Sequence, residues 1–167
     1  MENAKIVNIL SPVDHASTAL AAVWVDMSKA QKATFLMQMG VLHASIGTPA
    51  VTLYVADDKS GTHNAAIGAN ADLTLDHYYK RTTGDTWTKH AVASSAFALA
   101  HNDDGYGFAI EVDAQKMGTF IASSVSYPAK YVRLAVGTPG AHSCIYAVQC
   151  ILTGLRYAED SPPTAIT

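Results

Sequence analysis

Alternation of polar and apolar residues dominates the C-terminal third of the chain. Residues 131–136 alternate with the period of a strand that has one buried face. Residues 144–152 are more continuously apolar and rich in β-branched residues, which suits the middle of a sheet. Gly137, Pro139 and Gly140 favour a turn between them. We therefore predict that residues 130–152 form a hairpin at the centre of a sheet.

The same kind of pattern predicts strands along the rest of the chain. Each segment is short, rich in β-branched or aromatic residues, and bounded by turn formers. The first segment is either a short strand or an arm. The predicted strands are residues 5–10, 20–27, 34–43, 50–56, 77–83, 86–92 and 106–113.

The connections between these strands also carry signals. Residues 44–49 have the length and composition of a hairpin loop, and so do Gly84 and Asp85 between the strands at 77–83 and 86–92. Residues 57–71 are polar and contain glycine, which predicts a long exposed loop. Asp113 has the character of an N-cap for one short helical turn over 114–117.

About eight short strands with hardly any helical periodicity predict an all-β protein. We expect a single β-sandwich, jelly-roll-like, with extended N- and C-terminal arms. Residues 1–11 are predicted to be an N-terminal arm or first strand, residues 12–157 the β-sandwich domain, and residues 158–167 an extended C-terminal tail. Pro162 and Pro163 exclude a helix in that tail.

The composition narrows the function classes. In a chain of 167 residues, 49% hydrophobic and 15% charged residues favour one domain with a real core. The net charge of −3 comes without a basic block, so no direct contact with nucleic acid is expected. The chain has no apolar run long enough to span a bilayer, and its first residues are too polar for a secretory signal. We expect no membrane contact and a cytoplasm-like compartment.

Histidines are frequent and invite a metal hypothesis, but no two of them have the spacing of a metal motif. We therefore expect no metal and no cofactor, with surface or core-edge positions for these side chains. A cupin-like metalloprotein, with three histidines brought together from separate loops, stays open as a weaker alternative. The histidines are His15, His43, His63, His77, His90, His101 and His142.

Other candidate chemistry is equally sparse. The paired acids at 57–58 and 103–104 would bind a cation only if their loops met, and turn formation is the simpler interpretation. Cys144 and Cys150 lie about 20 Å apart along one predicted strand, too far for a disulfide, so we expect two buried thiols. No catalytic motif is present. We expect no catalytic residues and no enzymatic activity.

Aromatic residues leave one binding alternative open. Trp24, Trp87 and the eight tyrosines fill a sandwich core or an interface in most proteins of this type. Alternatively, exposed Trp87, Tyr78 or Tyr79 could stack on a sugar, as in a carbohydrate-binding sandwich or a receptor-binding tip.

Six strand-like phrases, taken in order, resemble small structural proteins of tailed bacteriophage virions. The resemblance spans residues 15 to 163, and the order of the phrases carries it, since each one alone has low specificity. The phrases are Ala21-Val23-Val25-Asp26-Met27, Ala33-Thr34-Phe35, Val51-Thr52-Leu53, the run from Phe108 to Ala114, Tyr131-Val132-Arg133-Leu134, and Leu155-Arg156-Tyr157.

This resemblance implies a non-enzymatic capsid decoration or cement protein. Such a protein would be assembled in the host cytoplasm and bound to the capsid exterior. It would oligomerise, with a trimer favoured, and bridge major capsid protein subunits to stabilise the head. A tail, collar or receptor-binding location in the virion is the alternative. The expected partner-binding residues lie in the two arms: Lys5, Ile6, Val7, Pro162, Pro163 and Ile166.

Overall fold

The computed structural model describes residues 4–14, 19–68, 70–82, 84–93, 95–100 and 102–155. Its elements are β1 (Ala4–Asp14), β2 (Leu20–Ala21), β3 (Val25–Asp26), β4 (Lys32–Leu42), β5 (Ala50–Ala56), β6 (Asn64–Ala66), β7 (His77–Arg81), β8 (Trp87–Ala91), β9 (Ala96–Ala98), β10 (Gly107–Asp113), a 3₁₀ helix (Ala114–Lys116), β11 (Thr119–Ala122), β12 (Val125–Pro128), β13 (Tyr131–Val136) and β14 (Cys144–Thr153). No helix of the described residues is long and apolar enough to cross a bilayer.

The strands form two antiparallel sheets and a separate β11–β12 hairpin. The β14 sheet has the order β1-β14-β4-β10-β7-β8. The β13 sheet has the order β2-β13-β5-β6, with β3 also paired to β13 and β9 to β5. The chain passes from β4 to β5, and from β10 through β13 to β14, so it crosses repeatedly between the sheets, which is the topology of a jelly roll. The predicted all-β sandwich is confirmed.

One face of each central strand builds the core. In β13 every second residue, Val132, Leu134 and Val136, is almost completely buried. In β14 the buried face consists of Cys144, Tyr146, Val148, Cys150 and Leu152. All of these side chains belong to one hydrophobic cluster. Burying a large apolar side chain contributes about 1.5–3 kcal/mol, so these faces supply much of the free energy that holds the sheets together.

The predicted hairpin over residues 130–152 is wrong in its pairing, although both strands exist. β13 pairs with β5, β2 and β3, whereas β14 pairs with β1 and β4. The connection 137–143 therefore crosses from one sheet to the other. Each strand has a wholly apolar face, and placing the faces opposite each other across the core lets each cover the other.

The predicted hairpin between residues 34–43 and 50–56 is wrong for a related reason. β4 lies in the β14 sheet and β5 in the β13 sheet. Paired strands lie about 4.8 Å apart and stacked sheets about 10 Å apart, and a six-residue loop spans either distance. Loop length alone therefore could not distinguish a hairpin from a crossing.

Four other predictions about the elements have mixed outcomes. The segment 20–27 is two short strands, β2 and β3, and the loop over 57–71 contains β6. The hairpin over 77–92 is confirmed as β7 and β8. Asp113 caps the 3₁₀ helix as predicted, because its carboxylate accepts a hydrogen bond from the Gln115 amide at 2.9 Å.

The two cysteines are free and buried on the same face of β14, as predicted. Burial raises the pKa of the Cys150 thiol to about 12. Burial and the nearby Asp14 carboxylate raise the pKa of Cys144 to about 11. Since the thiolate is the reactive form, both groups are inert at neutral pH in the folded protein.

We predict that iodoacetamide at pH 8 labels neither Cys144 nor Cys150 in the native protein and labels both in denaturant. Mass spectrometry of the two samples measures this directly. Labelling of the native protein at the rate of the unfolded chain would contradict the burial of these thiols.

Candidate binding surface

The residues predicted to contact a partner divide into two groups. Lys5, Ile6 and Val7 lie in β1, at the edge of the β14 sheet. Pro162, Pro163 and Ile166 lie outside the described residues. Val7 is only 8% exposed and belongs to the core, whereas Ile6 is 67% exposed. Of the three residues in β1, Ile6 presents the most apolar surface to solvent.

Strand β1 is fixed to the sheet at both of its ends. Residues 4–8 pair in regular register with β14. The register then shifts twice before Asp14, and Pro12 lies in this irregular part. Asp14 accepts hydrogen bonds from the Ser143 hydroxyl at 2.7 Å and the Cys144 amide at 3.0 Å. The regular outer edge is therefore confined to residues 4–8.

A groove crosses the outer face of the β14 sheet. One row of directly opposed residues runs through Ala147 of β14, Gln38 of β4, Gly107 of β10, Arg81 of β7 and Trp87 of β8. Opposed residues of neighbouring strands point to the same side of a sheet. The small side chains of Ala147 and Gly107 leave a depression beside the larger ones.

A second row widens the groove towards β1. Asn8 lies opposite Gln149, and Gln149 lies opposite Leu36. The groove has a volume of about 480 Å³. This volume is within the range of small-molecule sites in proteins, about 300–1,000 Å³. Its lining combines an aromatic ring, three amide side chains, one guanidinium and apolar residues: Asn8, Pro12, Leu36, Met37, Gln38, Arg81, Trp87, Gly107, Ala147 and Gln149.

The polar end of the groove is held by contacts within the protein. Arg81 donates from Nη2 to Gln38 Oε1 at 3.1 Å. Gln38 in turn donates from Nε2 to the Gly105 carbonyl at 3.0 Å. The guanidinium of Arg81 also lies 5.9 Å from the ring centre of Trp87. These contacts orient the Arg81 side chain before any ligand is present.

The lack of a side chain at Gly107 favours this arrangement. A Cβ atom at this position would lie 3.2 Å from Cη2 of Trp87 and 3.5 Å from Nε of Arg81. The absence of a side chain therefore lets the indole and the guanidinium lie close to the backbone of β10.

The aromatic residues considered as stacking surfaces have different environments. Trp87 is 42% exposed. Tyr78 instead packs on the core, with its ring 4.0 Å from that of Phe97, so it is not the exposed platform that was considered. Tyr79 is partly buried and contacts His77 edge to face. Trp24 is buried, and the guanidinium carbon of Arg133 lies 4.4 Å from the centre of its ring.

The histidines in the described part of the chain lie in separate ring contacts. His43 stacks on His142, while His63, His77 and His90 each contact a different tyrosine. His15 and His101 lie outside the described residues. Among the residues described, the only group of three or more possible metal ligands is Asp57, Asp58 and His63, whose ligand atoms lie within 4.8 Å of one another.

The side chains of this group form hydrogen bonds within their own loop. Asp57 Oδ2 lies 3.1 Å from His63 Nδ1. Asp58 Oδ1 accepts from the Ser60 amide at 2.8 Å and the Thr62 amide at 3.2 Å. Asp58 therefore acts as a turn former, as predicted.

The other acidic pair lies at the opposite end of the sandwich. Asp104 accepts from the Leu42 amide, at the end of β4, whereas Asp57 directly follows β5. The loop after β4 leads into the start of β5, so Asp104 lies near the start of β5 and Asp57 lies at its end. The two acidic pairs are therefore separated by the length of β5. Asp103 is 2% exposed and binds Lys80 Nζ at 2.6 Å and the Ala100 amide at 2.9 Å.

Sequence reasoning singled out Trp87 but missed its neighbours in the groove. The hairpin predicted over residues 77–92 already placed Arg81 near Trp87, because both residues flank its turn. The contributions of Gln38, Gly107 and Gln149 depend on pairing between strands that are far apart in sequence, which no local signal predicted.

Comparison with known proteins identifies no family for this chain. No protein-family model matches the chain, and no curated protein matches it. Among solved structures, a chain from "Structure of infectious bursal disease virus Gt strain" matches with 12% identity and a TM-score of 0.27. The match covers 89% of this chain and 35% of that one, so the protein spans about a third of the matched chain's length. A similarity this low carries no argument about function.

The Asp103–Lys80 pair yields a stability prediction. Replacing Asp103 by alanine leaves a partly buried ammonium without its carboxylate, and we expect a loss of about 3 kcal/mol in the free energy of unfolding. Urea denaturation measures this loss. The exposed Asp85→Ala serves as the control, with an expected change within about 0.5 kcal/mol. Equal stabilities of the two variants would show that the pair contributes nothing.

Proposed function

We propose that this protein is a non-enzymatic structural component of a virus particle, a capsid decoration or cement protein of a tailed bacteriophage. It binds the exterior of the assembled capsid and bridges neighbouring major capsid protein subunits. It does so as a homo-oligomer, a trimer in the favoured form, with no role for nucleic acid or membrane contacts. The observation that carries the proposal is the edge strand β1.

The position of β1 supports attachment by strand addition. It pairs with β14 on one side, and no described strand pairs with its other side. The edge of a sheet presents backbone donors and acceptors that a partner strand can pair with. The regular part of this edge, residues 4–8, includes the three residues that the sequence singled out in this arm.

The side chain of Ile6 supports the same attachment. It is 67% exposed on the edge strand, so a partner that pairs with β1 would cover apolar surface as well as backbone groups. A single such contact is weak. On a capsid lattice, an oligomer makes several copies of it at once, and avidity then raises the overall affinity without any new type of contact.

The jelly-roll topology also suits this role, because viral capsid proteins use this architecture, as do lectins and cupins. Fold alone does not decide among these classes. The six strand phrases that resemble virion proteins then favour the capsid role over the other two.

We predict that Ile6→Asp weakens binding to phage heads assembled without this protein by at least about tenfold, since it places a charge in an apolar contact. Co-sedimentation with such heads measures the bound fraction. Val41→Asp is the matched control, because Val41 is 70% exposed and lies in β4, an internal strand of the sheet. Binding of Ile6→Asp at the wild-type level would overturn the assignment of β1 as the contact.

A point variant is preferable to deletion of residues 1–11. Val7 and Ile9 are 8% and 4% exposed and belong to the core. Their removal would destabilise the sandwich, so lost binding after deletion would not identify the contact.

A further inference from the structure

We propose that the groove on the outer face of the β14 sheet binds an acidic oligosaccharide, with a sugar ring stacked on Trp87 and a carboxylate bound by Arg81. This proposal does not rest on the capsid proposal, because Arg81 and Trp87 lie in β7 and β8, on the opposite side of the sheet from β1.

The aromatic end of the groove suits a sugar ring. The indole of Trp87 is 42% exposed and lies at the end of the row that contains Gly107 and Arg81. A flat, exposed indole offers apolar area and a π face to the C–H groups of a pyranose. The tip of the indole lies close to β10, since a Cβ atom at Gly107 would be 3.2 Å from Cη2 of Trp87, and this proximity limits the movement of the ring before a ligand binds.

The charge of the groove favours an acidic sugar. Arg81 is the one charged residue that lines it, and among the described residues this guanidinium has no carboxylate partner. Its Nε atom is buried and has no hydrogen-bond partner in the described part of the protein. Because a buried atom is out of reach of a ligand, the terminal nitrogens of Arg81 are the donors for binding, and a carboxylate is the acceptor that a guanidinium binds best.

The remaining lining favours a ligand with many hydroxyl groups. Asn8, Gln38 and Gln149 supply amide groups that both donate and accept hydrogen bonds. The groove reaches from β1 to β8, which are five strand spacings or about 24 Å apart, so it is long enough for an oligosaccharide. A hydroxyl-rich chain with one or more carboxylates matches this combination better than a purely apolar ligand.

Titration with three acidic oligosaccharides tests the proposal: tri-galacturonate, a hyaluronan tetrasaccharide and sialyllactose. The methyl ester of each is the matched neutral ligand, because esterification removes the charge and adds only one methyl group. A change in tryptophan fluorescence on titration reports ligand contact with Trp87, since the second tryptophan, Trp24, is buried. We expect saturable binding of at least one acid, with its ester at least about tenfold weaker, as for the loss of a charge-assisted hydrogen bond.

Variants then assign the contacts by calorimetry. Trp87→Ala should weaken binding of that acid by about tenfold, and Trp87→Phe by less. Arg81→Gln should abolish the preference for the acid over its ester. Ile121→Ala, exposed on the β11–β12 hairpin, and Lys130→Gln, which removes the same charge elsewhere, should bind as the wild type does.

Three results would each overturn the proposal. They are failure of all three acids to bind, equal affinity for an acid and its ester, and unchanged affinity of Trp87→Ala with unchanged thermal unfolding. None of them affects the capsid proposal, because that is measured on variants of Ile6 and by binding to heads.

Discussion

The packing of β14 against the opposing sheet determines the rest of this structure. Its inward face contributes five consecutive alternate side chains, from Cys144 to Leu152, all almost completely buried. Because these side chains occupy one face of the strand, its other face is free to form the outer surface of the sheet. The same strand holds β1 on one side and β4 on the other. The core, the edge strand and the groove therefore all depend on its register.

Local sequence patterns were sufficient to locate most strands, because burial of one face imposes a period of two on the residues themselves. They did not determine which strands pair. Residues 131–136 and 144–152 were assigned correctly as strands but wrongly as a hairpin, since alternation specifies the buried face and not the neighbour. The hairpin of β7 and β8 was predicted correctly because the turn at Gly84 and Asp85 lies within the pattern.

The groove illustrates the same limit at the level of a site. Trp87 was noticed in the sequence because its aromatic ring can stack on a sugar, but Gly107 and Ala147 contribute by being small. A small residue gives no chemical signal until its neighbours across the sheet are known. The orientation of Arg81 likewise depends on Gln38, which lies 43 positions away in sequence. The predicted partner residues in the C-terminal tail lie outside the described residues, and their role stays a prediction.

The central claim, that this protein decorates a capsid, is tested most directly by electron cryomicroscopy of particles purified from the host that makes it. The account predicts many copies on the icosahedral lattice outside the major capsid protein, with β1 against a neighbouring subunit. A few copies at one vertex or along the tail would contradict the decoration role and place the protein in the collar or tail. Absence of the chain from the particles would contradict a structural role in the virion altogether.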